Sequence, residues 1–100
     1  MNKFELFTRV MSMVSACTGI SSQHILTCKD EESTDARVVL VQVLSKYLSD
    51  VQIASVTNLT VRGVSYLRNI FSVRSRKWFV RSNYETITKQ FGSNLEVIRK

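Results

Sequence analysis

Apolar side chains at Phe4, Phe7, Val10, Met11, Val14 and Cys17 fall three or four residues apart, and this stripe predicts an amphipathic helix over residues 2–17. Gly19 follows as the residue best suited to the left-handed conformation that closes a helix. Ser21 or Ser22 is placed to cap a short second helix running to Leu26, and residues 29–33 read as a charged connection. A third helix is expected from a cap at Ser33 or Thr34, with Asp35 favourably placed near the positive end of its dipole. Its body, residues 36–48, is apolar at Val38, Val39, Leu40, Val41, Val43, Leu44, Tyr47 and Leu48. So many β-branched residues would suit a buried strand, but thirteen periodic positions exceed the usual strand length. A helix apolar nearly all round belongs in the middle of a bundle.

Ser49-Asp50-Val51-Gln52 has the form of a capping box and starts a fourth helix. That helix is short, because Asn58 tolerates a left-handed turn and Thr60 offers a fresh N-cap. A fifth helix follows from Val61 to about Val73. Two helices joined so tightly form a helix-turn-helix unit. Small Ala54 suits the crossing, Ile53 and Val56 face inward from the first helix, and Leu59, Val64 and Leu67 do so from the second. Further on, Val80, Tyr84, Ile87 and Phe91 keep helical spacing, and Ser82 to Glu85 fits a second capping box, so a sixth helix is expected. The competing reading of residues 77–88 is a winged hairpin split by Arg81-Ser82-Asn83. Trp78 and Tyr84 have two uses in either case, stacking on nucleic acid or filling the core.

Composition narrows the class. The chain has 100 residues, the length of one domain, with 44% hydrophobic and 22% charged residues, as in ordinary globular proteins. Proline is absent and there are only three glycines, too few breakers for a small β-sandwich or barrel. The expectation is an all-α, five- or six-helix bundle containing a helix-turn-helix, with residues 1–100 as one domain.

The net charge of +6 is local. Residues 1–59 carry five bases and six acids, whereas residues 60–89 carry seven bases and only Glu85. Such clustering is the footprint expected for a polyanion. With Val64, Leu67, Ile70 and Phe71 packed inward, Thr60, Val61, Arg62, Ser65, Tyr66 and Asn69 point outward, with Arg68 at the flank. Arg62 suits a bidentate contact to guanine and Asn69 a contact to adenine; Val61 suits a thymine methyl, and Thr60, Ser65 and Tyr66 suit phosphates or bases. Arg74, Arg76, Lys77 and Arg81 follow where phosphates beside a docked helix would lie. Gly63 permits close approach, to DNA or to the fourth helix, or is simply tolerated near a helix start.

Other chemistry finds little support. Cys17 and Cys28, eleven residues apart, match no metal or redox motif, and reduced thiols in a cytoplasmic setting are the default. Val14-Ser15-Ala16-Cys17 looks like a lipoprotein cleavage site, but the apolar segment before it is too short and Glu5 sits where a leader should be positive. No membrane association is expected. A single His24, no paired carboxylates and no nucleophile beside a base argue against an enzyme, and no cofactor or metal is expected.

The run from Ala36-Arg37 through Leu44, Lys46 and Leu48, then Ser49-Asp50-Val51-Gln52-Ile53-Ala54 and the turn into Val61-Arg62-Gly63-Val64-Ser65, resembles the C-terminal DNA-binding domain of the bacterial replication initiator DnaA, whose helices share their architecture with the tryptophan repressor. The resemblance implies a double-stranded DNA partner, a nucleoid-associated role in transcription regulation or replication control, and a phosphate contact from Arg37. It departs from the family at residues 58–64, where Asn-Leu-Thr-Val-Arg-Gly-Val stands for a signature whose Asp and His read the origin box. No Gly-rich lysine loop is present, so ATPase activity is not implied. Repressors of this architecture often dimerise. The stripe from Phe4 to Val14 therefore has two uses, as the seam of a homodimer or as the face of a folded-back helix. The alternative to DNA binding is a helical interaction module whose basic face meets an acidic partner.

Overall fold

The computed structural model describes residues 2–99, and side chains through residue 91. Six helices follow one another: α1 (Lys3–Thr18), α2 (Ser22–Thr27), α3 (Glu31–Leu44), α4 (Asp50–Thr57), α5 (Val61–Arg74) and α6 (Trp78–Arg99). No strand occurs among the described residues. The fold is an all-α bundle, and residues 78–88 are helical where a hairpin was the competing expectation.

Each start has a local cause. Asn2 caps α1 by accepting from the Glu5 N–H at 2.9 Å, and α1 ends at Gly19, whose φ of 73° is the left-handed value that glycine adopts without strain. Ser21 caps α2 through the His24 N–H. At α3 the cap is Asp30, which accepts from the Ser33 N–H at 3.1 Å, so the helix begins at Glu31 rather than after Ser33 or Thr34. Glu31, Glu32 and Ser33, expected to lie in a connection, are therefore helical. The outcome is physically sensible, since it puts Glu31 and Glu32 in the first turn, at the positive end of the dipole. The Ser33 N–H also holds the Asp30 carboxyl below its usual range. A lowered carboxylate stabilises the fold above its unfolded value and loses that effect as pH falls through its folded value.

At its far end α3 stops at Leu44 instead of running to Leu48. The N–H groups of Lys46 and Tyr47 bond back to Val43 and Leu44, three residues earlier, which tightens the chain into a turn leading to the Ser49 cap. The Ser49–Gln52 capping box forms as expected, with bonds of 3.3 and 3.0 Å. The second box does not. Ser82 lies inside α6, which begins at Trp78, and the Asn83 amide donates to the Phe79 carbonyl.

α3 is the centre of the bundle. Ala36, Val38, Val39, Leu40, Val41, Val43 and Leu44 are all buried, facing neighbours on every side, and α1, α2, α5 and α6 each pack against this helix. α1 supplies Leu6, Val10, Met11 and Val14 to the core, α4 supplies Ile53, α5 supplies Val64 and Leu67, and α6 supplies Val80, Ile87 and Phe91. The α1 stripe is thus largely used within the fold, as a folded-back helix, although Phe4 and Cys17 at its ends stay exposed. Aromatic contacts close the lower edge: Tyr47 meets Phe91 edge-on at 5.4 Å between centroids, and Phe71 leans on Tyr84 at 4.7 Å. Tyr84 belongs to the core margin.

Leu40→Ala should cost about 2 to 5 kcal/mol, because nothing around a fully enclosed site can collapse freely into the space. Val51→Ala, at an exposed position on α4, should stay within about 0.5 kcal/mol. Urea unfolding of both variants checks this, and equal costs would contradict the central placement of α3.

Candidate nucleic-acid interface

The three residues between α4 and α5 set the geometry of the candidate surface. Asn58 takes φ 64° and its N–H bonds to the Ala54 carbonyl, ending α4. Thr57 is buried; its hydroxyl donates to the Ile53 carbonyl at 2.7 Å and accepts from the Leu59 N–H. Thr60 then caps α5 by accepting from the Gly63 N–H at 2.9 Å. This bond explains Gly63 more directly than an approach to DNA or to α4. A Cβ on Gly63 would lie 3.0 Å from the Thr60 hydroxyl oxygen, crowding the cap itself.

The Thr60 hydroxyl keeps its own proton for a further acceptor. The N–H groups of Val61 and Arg62 belong to the first turn of α5, where no intrahelical partner exists. Beyond them Arg62, Tyr66, Asn69 and Val73 recur at intervals of four, three and four, and all are exposed. Val61 is exposed too, and Ser65 is half-buried beside the stripe. The outward face thus holds the residues the periodicity assigned to it. Ile70 and Phe71 sit half-buried against the core.

The cations divide into two groups. Arg68 makes a two-toothed contact with Asp50, Nε to Oδ1 at 3.1 Å and Nη2 to Oδ2 at 2.9 Å, tying the middle of α5 to the start of α4. Arg74 and Lys77 converge on Asp35, at 2.5 and 3.2 Å, and Lys77 also bonds Glu31. The Asp35 side chain is only 5% exposed, so these bonds fasten the corner between α5 and α6 to the beginning of α3. Arg37 is likewise occupied. Its Nε donates to the Ile25 carbonyl at 2.6 Å and its Nη2 to the Cys28 carbonyl, holding the end of α2 on α3. Burial lowers its pKa from the usual arginine value. Arg62, Arg76 and Arg81 are exposed and make no ion pair among the described residues.

Of the residues expected at the site, Thr60, Val61, Arg62, Ser65, Tyr66 and Asn69 come together on α5, with Arg76 and Arg81 beyond its far end. Arg37, Arg68, Arg74 and Lys77 have structural partners instead. What periodicity missed was the carboxylates that claim Arg68, Arg74 and Lys77, namely Asp50, Asp35 and Glu31, which lie 18 to 46 residues away along the chain. Each stood in a first or second helical turn, where an acid is already explained by the dipole.

No protein-family model, curated protein or solved structure gives a significant match to this chain.

Other surfaces carry less chemistry. A groove of about 630 Å³ between α1 and α2 is lined by residues such as Phe7, Met11, Ser15 and Leu26 and holds no acid, base or imidazole. Among the described residues no three His, Cys, Asp or Glu side chains gather as metal ligands, and no helix is long and apolar enough to cross a membrane.

Asp35→Asn should destabilise the fold by about 3 kcal/mol, because breaking one partner of a buried pair leaves Arg74 uncompensated. Chemical denaturation measures this. Glu31 is held below its usual range by Lys77, and Lys77 is raised above its own chiefly by Glu31. The contribution of Glu31 is complete above the unfolded carboxylate value and lost as pH falls through the folded one. That of Lys77 is complete below the ordinary lysine value and lost as pH rises past the raised one. Stability of the corner should therefore be flat near neutrality and fall on acidification, and Lys77→Met should flatten the acid limb; an unchanged acid limb in that variant would count against the pairing.

Proposed function

We propose that this chain is a sequence-specific binder of double-stranded DNA that lays α5 in the major groove, with the α4–turn–α5 unit serving as a helix-turn-helix. One observation carries the reading: Arg62, Tyr66 and Asn69 form an exposed stripe on α5, beginning beside the Thr60 cap, in the half of the chain where the bases concentrate. Arg62 has the fork for guanine O6 and N7, and Asn69 the amide for adenine, each contact worth about 1 to 3 kcal/mol of discrimination. The Thr60 hydroxyl and the first-turn N–H groups suit a phosphate oxygen, as helix N-termini do generally. Arg76 and Arg81, exposed and without ion pairs among the described residues, supply the sequence-independent grip on the backbone.

Arg68, Arg74 and Lys77 act indirectly in this scheme. Arg68 sets α5 against α4 through Asp50, and Arg74 and Lys77 set the α5–α6 corner against α3. The helix order and the Ala36-Arg37 and Ser49–Ala54 segments support kinship with the DNA-binding domain of DnaA and the tryptophan-repressor architecture, with a role in transcription or replication control at the bacterial nucleoid. Arg37 then serves α2 rather than a phosphate.

A second reading has its own observation. Tyr66 and Val73 are 61% and 60% exposed on the same stripe as Arg62, giving α5 a mixed apolar and basic face that an acidic amphipathic helix would fit.

Selection of bound fragments from a random duplex pool separates the two, since only the first reading yields an enriched sequence. On the enriched site Arg62→Ala should cost about 1 to 3 kcal/mol and relax preference at one base pair. Arg76→Ala should weaken all duplexes alike and reduce the salt slope by about one. Equal losses from the two variants on every sequence would overturn the division of roles.

A further inference from the structure

The ring of Trp78 stands 72% exposed at the first position of α6, the most exposed large hydrophobic side chain among the described residues. Its neighbours inward, Phe79 and Val80, pack toward the core, so the helix had apolar side chains to bury and left this one out. An exposed indole removes no apolar surface from water and adds nothing to folding by burial. A groove-binding partner would need apolar anchors three, four and seven residues on, but those positions are Arg81, Ser82 and Glu85. The ring is isolated on its helix.

The cations around it favour a polyanion. Arg76 precedes it by two residues and Arg81 follows by three, both exposed and without ion pairs among the described residues. Of the nearby acids, Glu31 is engaged by Lys77, and Glu85 lies two turns along α6, about 10 Å away at 1.5 Å per residue. A lone exposed aromatic with exposed arginines two residues before and three after it in the chain matches the way strands with free bases are held, by stacking on the ring and by charge on the backbone. A duplex offers no such face, because its bases are stacked on one another. Position agrees: α5 spans about 20 Å, so the corner at residues 75–77 that precedes Trp78 lies at the other end of that helix from Thr60, the end proposed to enter the groove.

We propose that Trp78, flanked by Arg76 and Arg81, is a stacking site for an unpaired base, and that the protein engages a single-stranded DNA segment at the α5–α6 corner. The inference rests on the nucleic-acid reading of the basic half but not on α5 entering a groove.

Trp78 is the only tryptophan, so its fluorescence reports the site without a label. The probes are a deoxythymidine oligonucleotide of about 12 nucleotides, within the span such sites cover, and a blunt hairpin duplex. The single strand should quench the emission of the wild-type protein, and Trp78→Ala, read by mobility shift because it has no tryptophan, should weaken single-strand binding roughly 5- to 100-fold, as loss of one stacked base predicts. Trp78→Phe should keep most of the affinity, and duplex affinity should change little in either variant. Single-strand affinity unchanged in Trp78→Ala, or equal losses on both probes, would overturn the proposal. Quenching by the single strand from a wild-type protein that ignores every duplex would sustain the Trp78 site and overturn the groove reading of α5. Duplex binding that depends on Arg62 with no single-strand quenching would do the reverse.

Discussion

Everything in this fold answers to the burial of α3. Seven apolar side chains in nine consecutive positions leave that helix no face for water, so other elements must cover it from all directions. Burying a valine or leucine is worth about 1.5 to 3 kcal/mol, and a set of seven rivals the net stability of a domain. α1, α2, α5 and α6 are placed by that demand. Once Val64 and Leu67 turn inward to meet α3, a helix with 3.6 residues per turn must present Arg62, Tyr66 and Asn69 outward. The candidate surface is thus a geometric consequence of the core.

Three cations meet carboxylates on α3 or α4: Arg74 and Lys77 at Asp35 and Glu31, and Arg68 at Asp50. Arg37 instead uses backbone carbonyls, those of Ile25 and Cys28. The pairs differ in weight. The Arg68–Asp50 fork is partly exposed and contributes on the order of 0.5 kcal/mol, so its role is to orient rather than to stabilise. Asp35 is nearly enclosed and cannot lose either partner cheaply. Of the seven bases in residues 60–89, four project beyond these contacts without an ion pair among the described residues: Arg62, Arg76, Arg81 and Lys89.

The helices were legible because their causes are local. Gly19, Ser21, Ser49, Asn58 and Thr60 punctuate the chain where their own backbone geometry and side-chain oxygens act, within three or four residues. The readings that moved are those where two local signals competed. Ser33 or Thr34 was the expected cap for α3, but Asp30, within the charged segment before them, takes that place; Ser82 offered a cap for α6, but the corner at residues 75–77, pinned to α3, starts that helix earlier. The outward face of α5 was legible for the same reason, since periodicity alone fixes it. Which bases remain free was not, because pairing joins residues 18 to 46 positions apart and depends on how helices cross. The place of Trp78 was undecided likewise: next to Phe79 and Val80 it suits stacking or the core alike until the register of α6 is known.

Gly63 shows how closely the start of α5 is tied to the turn. Alanine would be favoured there by about 1 kcal/mol on helix propensity. Its methyl would meet the Thr60 oxygen at 3.0 Å, and that oxygen cannot retreat without weakening its bond to the Gly63 N–H. Losing an N-cap costs about as much as the propensity returns. Stability alone therefore leaves glycine and alanine nearly balanced. The cap hydroxyl, by contrast, is set by which residue is present: with glycine it stays fixed beside Val61 and Arg62, at the end of α5 that carries the exposed stripe. A residue that adds little to the fold but keeps three neighbouring donors in place is better understood through the surface it preserves than through the helix it begins.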